Sequence, residues 1–584
     1  MPPPHLEWLL PEPVQTPPVL TGFGAAVATL LARRGFHDDA GLRAFLDAGH
    51  ESLHDVGLMT DAGTALTRVG AAVARGERIA IWGDYDADGM TAVAIWVSAL
   101  RRLGADPLRF VPSRLAEGYG LSVTGLTRLR QQGVDLVITV DCGISNAAEV
   151  DAASALGLDV VITDHHLPPA RLPRAVAVVD PRRADCHYPD ADLTGAGIAY
   201  KLAAALLERG GASVAGLAAL AAIGTVADMA PMTGESRAIV RLGLAEMPDA
   251  VSPGLRALLV RAVEDPAHPT ARDLAFGVAP RLNAVGRLAD ADDAIALLLE
   301  TDAERVAALL TALEGTHRSR QALTAAALVR ARQLATAAPG TCALALRHDE
   351  WLPGLVGLVA SRLTDDLARP VAAATLVGDE VRGSIRAPAD FHAAAALEAC
   401  AALLTRRGGH AAAGGFSLRE ADWPAFTEAL GALPRPFPSG GGGEMVRPGR
   451  LAVDLVLPAR HLGWALQAEL ERLAPFGPGH PEPVLAVTGL RLAEARRVGA
   501  EGQHLAMRLQ RGAEAFDAIA FGAPAERPPP EAGRLLDVVG TLQRDRFNGQ
   551  ARLRLRTLDW AEASDSPLRA REQARPAAGG VAVG

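Results

Sequence analysis

Apolar residues come in short bursts along the first half of the chain. Ile79-Ala80-Ile81-Trp82, Leu136-Val137-Ile138-Thr139-Val140 and Val160-Val161-Ile162-Thr163 are compact runs rich in β-branched residues. Between them lie stretches with helical spacing, such as Thr91 to Leu103 and, further on, Gly195 to Leu207. Short buried strands alternating with helices predict a parallel α/β sheet. From 236 to 335 the pattern changes to alanine and leucine at helical spacing, as in Ala294 to Leu299 and Arg305 to Leu313. This predicts helices, including a long connector. Strands return at Cys342 to Leu346, Val371 to Leu376 and Val381 to Ile385, which predicts a second, smaller α/β domain. Pro434 to Gly443, with Ser439 and four successive glycines, reads as a linker. Beyond it, Leu535 to Leu542 and Ala551 to Leu558 read as strands joined at Asn548-Gly549, a type I′ hairpin signal.

The polar residues that end these strands carry the chemistry. Gly83-Asp84-Tyr85-Asp86-Ala87-Asp88-Gly89 closes the first run, Asp141 the second, and Asp164-His165-His166 the third. Ligands of parallel sheets bind beyond the carboxyl ends of the strands. Three strands therefore bring carboxylates and imidazoles to one rim, a donor set that suits Mn²⁺ or Mg²⁺. The Asp-x-Asp-x-Asp-Gly opening is not a calcium loop of the EF-hand type. It follows a strand, and its twelfth position is Ile95 where a bidentate Glu is needed. A single such Asp would be read as a helix cap; three strand ends together are not.

These residues resemble the first three motifs of the DHH phosphoesterase superfamily, and Gly224-Thr225-Val226-Ala227-Asp228-Met229 supplies the Asp of a fourth. Arg114-Leu115-Ala116-Glu117-Gly118-Tyr119-Gly120-Leu121, Pro280 to Arg287 and Gly408-Gly409-His410-Ala411-Ala412-Ala413-Gly414 resemble signatures of its RecJ branch of bacterial single-strand exonucleases. The likeness runs in order from about residue 45 to about residue 560. One segment departs from it: Trp351-Leu352-Pro353-Gly354 carries Leu where that branch usually has His, and Leu352 is given no role.

The resemblance implies a parallel-sheet catalytic domain, a helical connector, a second domain facing it across the substrate cleft, and a five-stranded OB-like barrel. The expected boundaries are an N-terminal extension at 1–75, then 76–235, 236–335 and 336–436, a linker at 437–447, the barrel at 448–563, and a disordered tail at 564–584. It also implies a 5′-to-3′ exonuclease on single-stranded DNA, serving recombination and repair. Two divalent ions roughly 3.5–4 Å apart would activate water and relieve phosphate charge. Asp86, Asp88, Asp141, His165 and Asp228 match the ligand positions, with Asp141 the bridging candidate. Asp84 is a ligand or an outer partner, and Asp164 orients its neighbour or caps the turn. His166 is a further ligand or, in the preferred reading, a donor or acid at the leaving group. For the strand, the resemblance implies Arg114 as a phosphate clamp, Tyr119 as a stacking ring and Asn283 with Arg287 on the backbone. Ser384, Arg386 and His410 would hold the terminal 5′ phosphate. Expected partners are a 5′-phosphorylated strand, a single-strand-binding protein and a helicase, and no membrane.

Composition changes little of this picture. At 584 residues and 49% apolar content, the chain has material for several packed domains. No run of eighteen apolar residues occurs, and the Met1-Pro2-Pro3-Pro4-His5 start has no secretory pattern, so a cytoplasmic location is expected. The four cysteines lack CxxC spacing, and Cys142 reads as a packing residue. A net charge of −9 is unusual for a nucleic-acid binder, but several of the acids belong to the rim that cations would offset. Lys201 is the single lysine, so nearly all positive charge is arginine, which contacts phosphate bidentately. The rival readings are a small-substrate DHH hydrolase (an oligoribonuclease, a cyclic-dinucleotide phosphodiesterase or a pyrophosphatase) and a non-catalytic replication scaffold. The barrel and the long connector disfavour the first; the complete Asp/His set disfavours the second.

Overall fold

The computed structural model describes residues 6–112, 118–337, 341–437, 450–499, 502–524, 527–547 and 550–568. Arg114, the glycine linker, the Asn548-Gly549 turn and the residues after 568 lie outside them. The chain forms two compact units. One comprises Leu53–Ala230 and Ala238–Pro448; the other comprises Met1–Ser52, Pro231–Arg237 and Gly449–Gly584.

In the first unit, five parallel strands follow the predicted runs: β1 (Ile79–Trp82), β2 (Leu108–Phe110), β3 (Leu136–Val140), β4 (Asp159–Thr163) and β5 (Ala177–Val179). Their order is β2-β1-β3-β4-β5. β1, β3 and β5 are buried throughout, which is why they read as unbroken apolar runs. The order reverses at β1, the place where doubly wound sheets open a crevice. Register delivers the rim: Trp82 pairs with Thr139 and Val140 with Thr163, so the residues after them arrive level. The ladder even runs on into the loops, with Asp141 N–H donating to Thr163 O and Asp164 N–H to Val179 O, at 3.1 and 3.0 Å.

Helix α1 (Ala87–Arg102) starts earlier than the expected Thr91 because the Asp86 carboxylate caps it. Helices α2 (Gly195–Arg209) and α3 (Leu217–Ala227) pack against α1. A π-turn at Leu274–Val278 leads into α4 (Ala279–Leu288), and the connector is the 35-residue α5 (Ala303–Ala337). The second sheet holds β6 (Leu344–Arg347), β7 (Val371–Val377), β8 (Glu380–Arg386), β9 (Arg406–Gly409) and β10 (Ala413–Arg419) in the order β9-β10-β8-β7-β6. Helix α6 (Val356–Leu367) lies on β7 and β8.

In the second unit, β11 (Leu485–Val498), β12 (His504–Arg511), β13 (Glu514–Ala520), β14 (Leu535–Phe547) and β15 (Gln550–Glu562) form a ring. It closes because β11 pairs with both β12 and β14, giving a five-stranded OB-like barrel. The expected N-terminal extension divides here. Its first part joins this unit: Leu20, Val27, Leu30, Leu31 and Leu42 share one core with barrel residues such as Leu505 and Leu536. Trp8 is buried and its Nε1–H donates to Asp559 at 2.8 Å. Arg237 is buried in the same unit, with its guanidinium donating to the carbonyls of Phe45, Leu473, Ala474 and Pro475. Residues 231–235 of the expected 76–235 domain and 236–237 of the expected connector thus belong to this body.

Candidate active site

Asp86 caps α1, its carboxylate accepting from the Asp88 and Gly89 N–H groups, both at 3.0 Å. This turn aims Asp88 across to the first turn of α2, where Gly195 and Ala196 N–H groups donate to its two oxygens at 2.8 and 3.0 Å. Asp141 adopts φ +58°, in the left-handed region, which sends its side chain back over the rim. Gly195 allows this approach, since a Cβ there would sit 2.6 Å from the Cβ of Asp141. His165 Nε2 lies 2.9 Å from Asp141 Oδ1 and 3.8 Å from Asp88 Oδ2, and its Nδ1 is 3.9 Å from Asp228 Oδ2.

Three sets of ligand atoms therefore converge, each within 4.8 Å: Asp84, Asp86 and Asp141; Asp141, His165 and His166; Asp88, His165 and Asp228. Asp141 belongs to two of them and His165 to two. Burial, then the fields of neighbouring carboxylates, hold Asp88 and Asp141 well above the usual carboxylate range, and Asp228 at about 6. Burial and the His166 charge push His165 down to about 4, so it is a neutral imidazole at pH 7. Hard oxygens crowded against one another, plus a neutral imidazole, form a donor set that Mn²⁺ or Mg²⁺ would relieve.

Asp164 is occupied by the protein itself. Its Oδ2 accepts from Ile144 N–H at 2.9 Å, and its Oδ1 accepts from His165 N–H at 2.7 Å and lies 2.8 Å from His166 Nδ1. Burial opposes the His166 charge, yet the Asp164 contact and the fields of Asp164, Asp228 and Asp84 lift it to about 8. The Tyr119 hydroxyl donates to the Asp141 carbonyl at 3.0 Å, and its ring meets His166 edge-on at 5.6 Å.

Helix α4 ties this rim to the second sheet. Asn283 Oδ1 accepts from Ala87 N–H at 2.8 Å, so the carboxamide expected on a nucleic-acid backbone steadies the start of α1. Gly286 lies where a Cβ would fall 1.8 Å from the Tyr85 carbonyl, and Arg287 donates to Gly354 O at 2.8 Å. On the second sheet, Arg386 donates to Ser384 Oγ at 2.6 Å. Ser384, Gly415 and Gly408 form one cross-strand row over β8, β10 and β9. His410 is exposed just past β9. The strand-end acids and histidines thus form one cluster, and Ser384, Arg386 and the glycine strand form another.

Two features of the rim escape the sequence reading. Asp180 ends β5 as Asp141 ends β3; it is fully buried, and burial lifts it to about 7. The short apolar run Val178-Val179 ahead of it was the available signal. Thr194-Gly195-Ala196-Gly197, a hydroxyl cap before small residues, marks the helix start that grips Asp88.

A parallel sheet with acids and imidazoles gathered on its carboxyl rim, joined by a helical connector to a second sheet, defines a DHH phosphoesterase. Family models agree: "DHH family, N-terminal domain" matches residues 78–225, "DHHA1 domain" 340–433 and "RecJ OB domain" 453–559. The single-stranded-DNA-specific exonuclease RecJ of Bacillus subtilis is 32% identical over 538 residues, 92% of this chain and 68% of its own length. Crystal structures of RecJ from Thermus thermophilus match over 96% of this chain. The Mn²⁺ complex has a TM-score of 0.78 at 33% identity, with 80% of that chain covered. The Mg²⁺ complex has 0.73 at 32%, with 79% covered. The chain belongs to the RecJ family of single-stranded-DNA-specific exonucleases.

Proposed function

We propose that Asp86, Asp88, Asp141, His165 and Asp228 hold two Mn²⁺ or Mg²⁺ ions, and that this rim cleaves nucleotides from the 5′ end of single-stranded DNA. The protein is a metal-dependent single-strand exonuclease serving recombination and repair. The observation that carries the ligand assignment is the place of Asp141 in two converging donor sets. Such ions, when bound, lower the pKa of a water and neutralise charge on the phosphate.

The chain's own groups do the rest. His165 is neutral at pH 7, so its lone pair is available to a cation. His166 keeps a proton near neutrality because Asp164 holds its Nδ1, which leaves Nε2–H to face the departing oxygen as an acid. Burial and the Asp164 and Asp141 charges hold Tyr119 far above its usual range. It therefore stays a phenol, and its part is to fix a ring beside the scissile phosphate. Asp84 sits in the ligand set with Asp86 and Asp141. Arg287 and Arg114 serve the strand backbone, and Ser384, Arg386 and His410 the terminal 5′ phosphate. We keep the domain boundaries of the sequence reading, with residues 1–52 and 231–237 assigned to the barrel.

The barrel gives the strand a sequence-tolerant track. An enzyme confined to single strands depends on a helicase to open duplex DNA and on single-strand-binding protein to keep it open; we place both among its partners, in the cytoplasm. No described helix is long and apolar enough to cross a membrane. The test is degradation of end-labelled single strands with chelator or Mn²⁺. Nucleotides released from the 5′ end only with metal support the reading. Hydrolysis of cyclic dinucleotides in place of long strands would replace it with the small-substrate one.

A further inference from the structure

Helices α5 and α6 meet beside the second sheet, and two arginines approach each other there. Arg320 is partly buried on α5 and Arg362 is exposed on α6. Arg320 stays below the usual arginine range, through burial first and then the Arg362 charge. Neither guanidinium has an ion pair or hydrogen bond among the described residues. Arg320 Nε is shielded from solvent with no partner, and so is the hydroxyl of Thr324, one turn further along the same face of α5. Two carboxylates of the same helices pair with other arginines: Glu314 lies 2.5 Å from Arg281 and 3.6 Å from Arg261, and Asp366 lies 2.7 Å from Arg332.

The Arg362 charge on α6 acts on Arg320 of α5, the helix packed against it, and the shielded Arg320 Nε–H and Thr324 hydroxyl on that helix have no acceptor. Such groups persist in folds when something outside the chain completes them. A tetrahedral oxyanion would accept from Nε–H, from the threonine O–H and from the planar fork of Arg362 at once. We propose that Arg320, Thr324 and Arg362 form a binding site for a phosphate group, distinct from the metal rim and from the Ser384–Arg386 pair. It flanks that pair, because α6 spans both. Thr364 of α6 donates to the Arg386 carbonyl at 3.2 Å, and a Cβ at Gly357 would lie 3.3 Å from Arg386 Nη2. The phosphate comes either from the backbone of a bound strand or from a free phosphate or nucleotide.

Residue-specific labelling tests this in the full-length protein. A dicarbonyl reagent modifies arginines, and peptide mass spectrometry reads Arg320 and Arg362 separately. Inorganic phosphate, or a 5′-phosphorylated oligonucleotide held in chelator, should slow their modification several-fold relative to chloride at equal ionic strength. Protection by the strand alone assigns the site to backbone phosphate; protection by both assigns it to any phosphate. No protection by either overturns the site. A second measurement uses Arg362→Gln in an Arg386→Ala background, so that the neighbouring pocket is silent. Relief of repulsion should leave the ligand-free melting temperature equal or higher, while the rise caused by inorganic phosphate should fall by at least half. An undiminished rise overturns the proposal. In the strand case, the salt dependence of oligonucleotide binding should also weaken by about 0.7 in slope for each phosphate no longer neutralised.

Discussion

Asp141 is where the residue scale is most demanding, since it sits in two of the three donor sets. Asp141→Ala should lower hydrolysis by several orders of magnitude, because a bridging carboxylate positions both ions. The chelated variant should melt no lower than chelated wild type, since the Asp141 carboxylate repels Asp88, Asp86 and Asp84. Mn²⁺ should raise the melting temperature of wild type by several degrees and that of the variant by far less. Equal shifts in a thermal scan would remove Asp141 from the metal. At the other cluster, Arg386→Ala should erase most of the preference for 5′-phosphorylated over 5′-hydroxyl strands in kcat/KM. A charge-assisted contact of this type contributes about 1.5–3 kcal/mol. If both ends lose rate equally, Arg386 supports the sheet rather than reading the terminus. Strand-end acids such as Asp141 and Asp164 were legible because each follows an apolar run long enough to declare itself. Asp180 was not, because its strand is only Ala177–Val179 and proline-rich sequence surrounds it. The role of Asn283 at the start of α1 was equally hidden: its partner Ala87 lies 196 residues away.

Among the elements, the strand of Glu7–Leu9 and the histidine loop after Trp464–Glu471 show what holds the second unit together. Glu7–Leu9 pairs in parallel with Arg450–Ala452, a contact no local pattern announces. Trp8→Ala should cost about 3–5 kcal/mol and leave the Asp559 carboxylate without its indole donor. Chemical denaturation should show the loss in the barrel transition, while metal-dependent stabilisation of the other unit persists. His480 is packed between Phe45 and Phe476, with ring centroids at 4.8 and 5.2 Å. Burial, Arg34 and Arg237 depress it to about 3. A histidine depressed in the fold binds its proton in the unfolded chain first. Stability is therefore complete above about pH 6.5, the unfolded value, and declines as pH falls from there toward 3. His480→Gln should flatten this acid slope in the barrel transition. An unchanged slope would mean that other groups set it.

At the scale of the whole molecule, the order of domains was legible, because each domain has its own periodicity and the glycine-rich stretch separates the last from the rest. The membership of the two units was not. It depends on contacts such as that between Trp8 and Asp559, 551 residues apart, which leave no trace in any window of sequence. That closure has a consequence for how the protein is made. A ribosome adds roughly 5–20 residues per second, so the first segment waits for tens of seconds before its partners emerge. During that time the apolar face of Leu20, Val27, Leu30 and Leu31 has nothing to bury it, while the metal-binding span between them can already fold. A chain cut short before the barrel would thus retain the cleaving rim yet display an uncovered hydrophobic leader, a mark by which chaperones and proteases could single out incomplete nuclease. Ribosome-arrested chains ending near residue 437 should bind a holdase through residues 6–46, and completed chains should not.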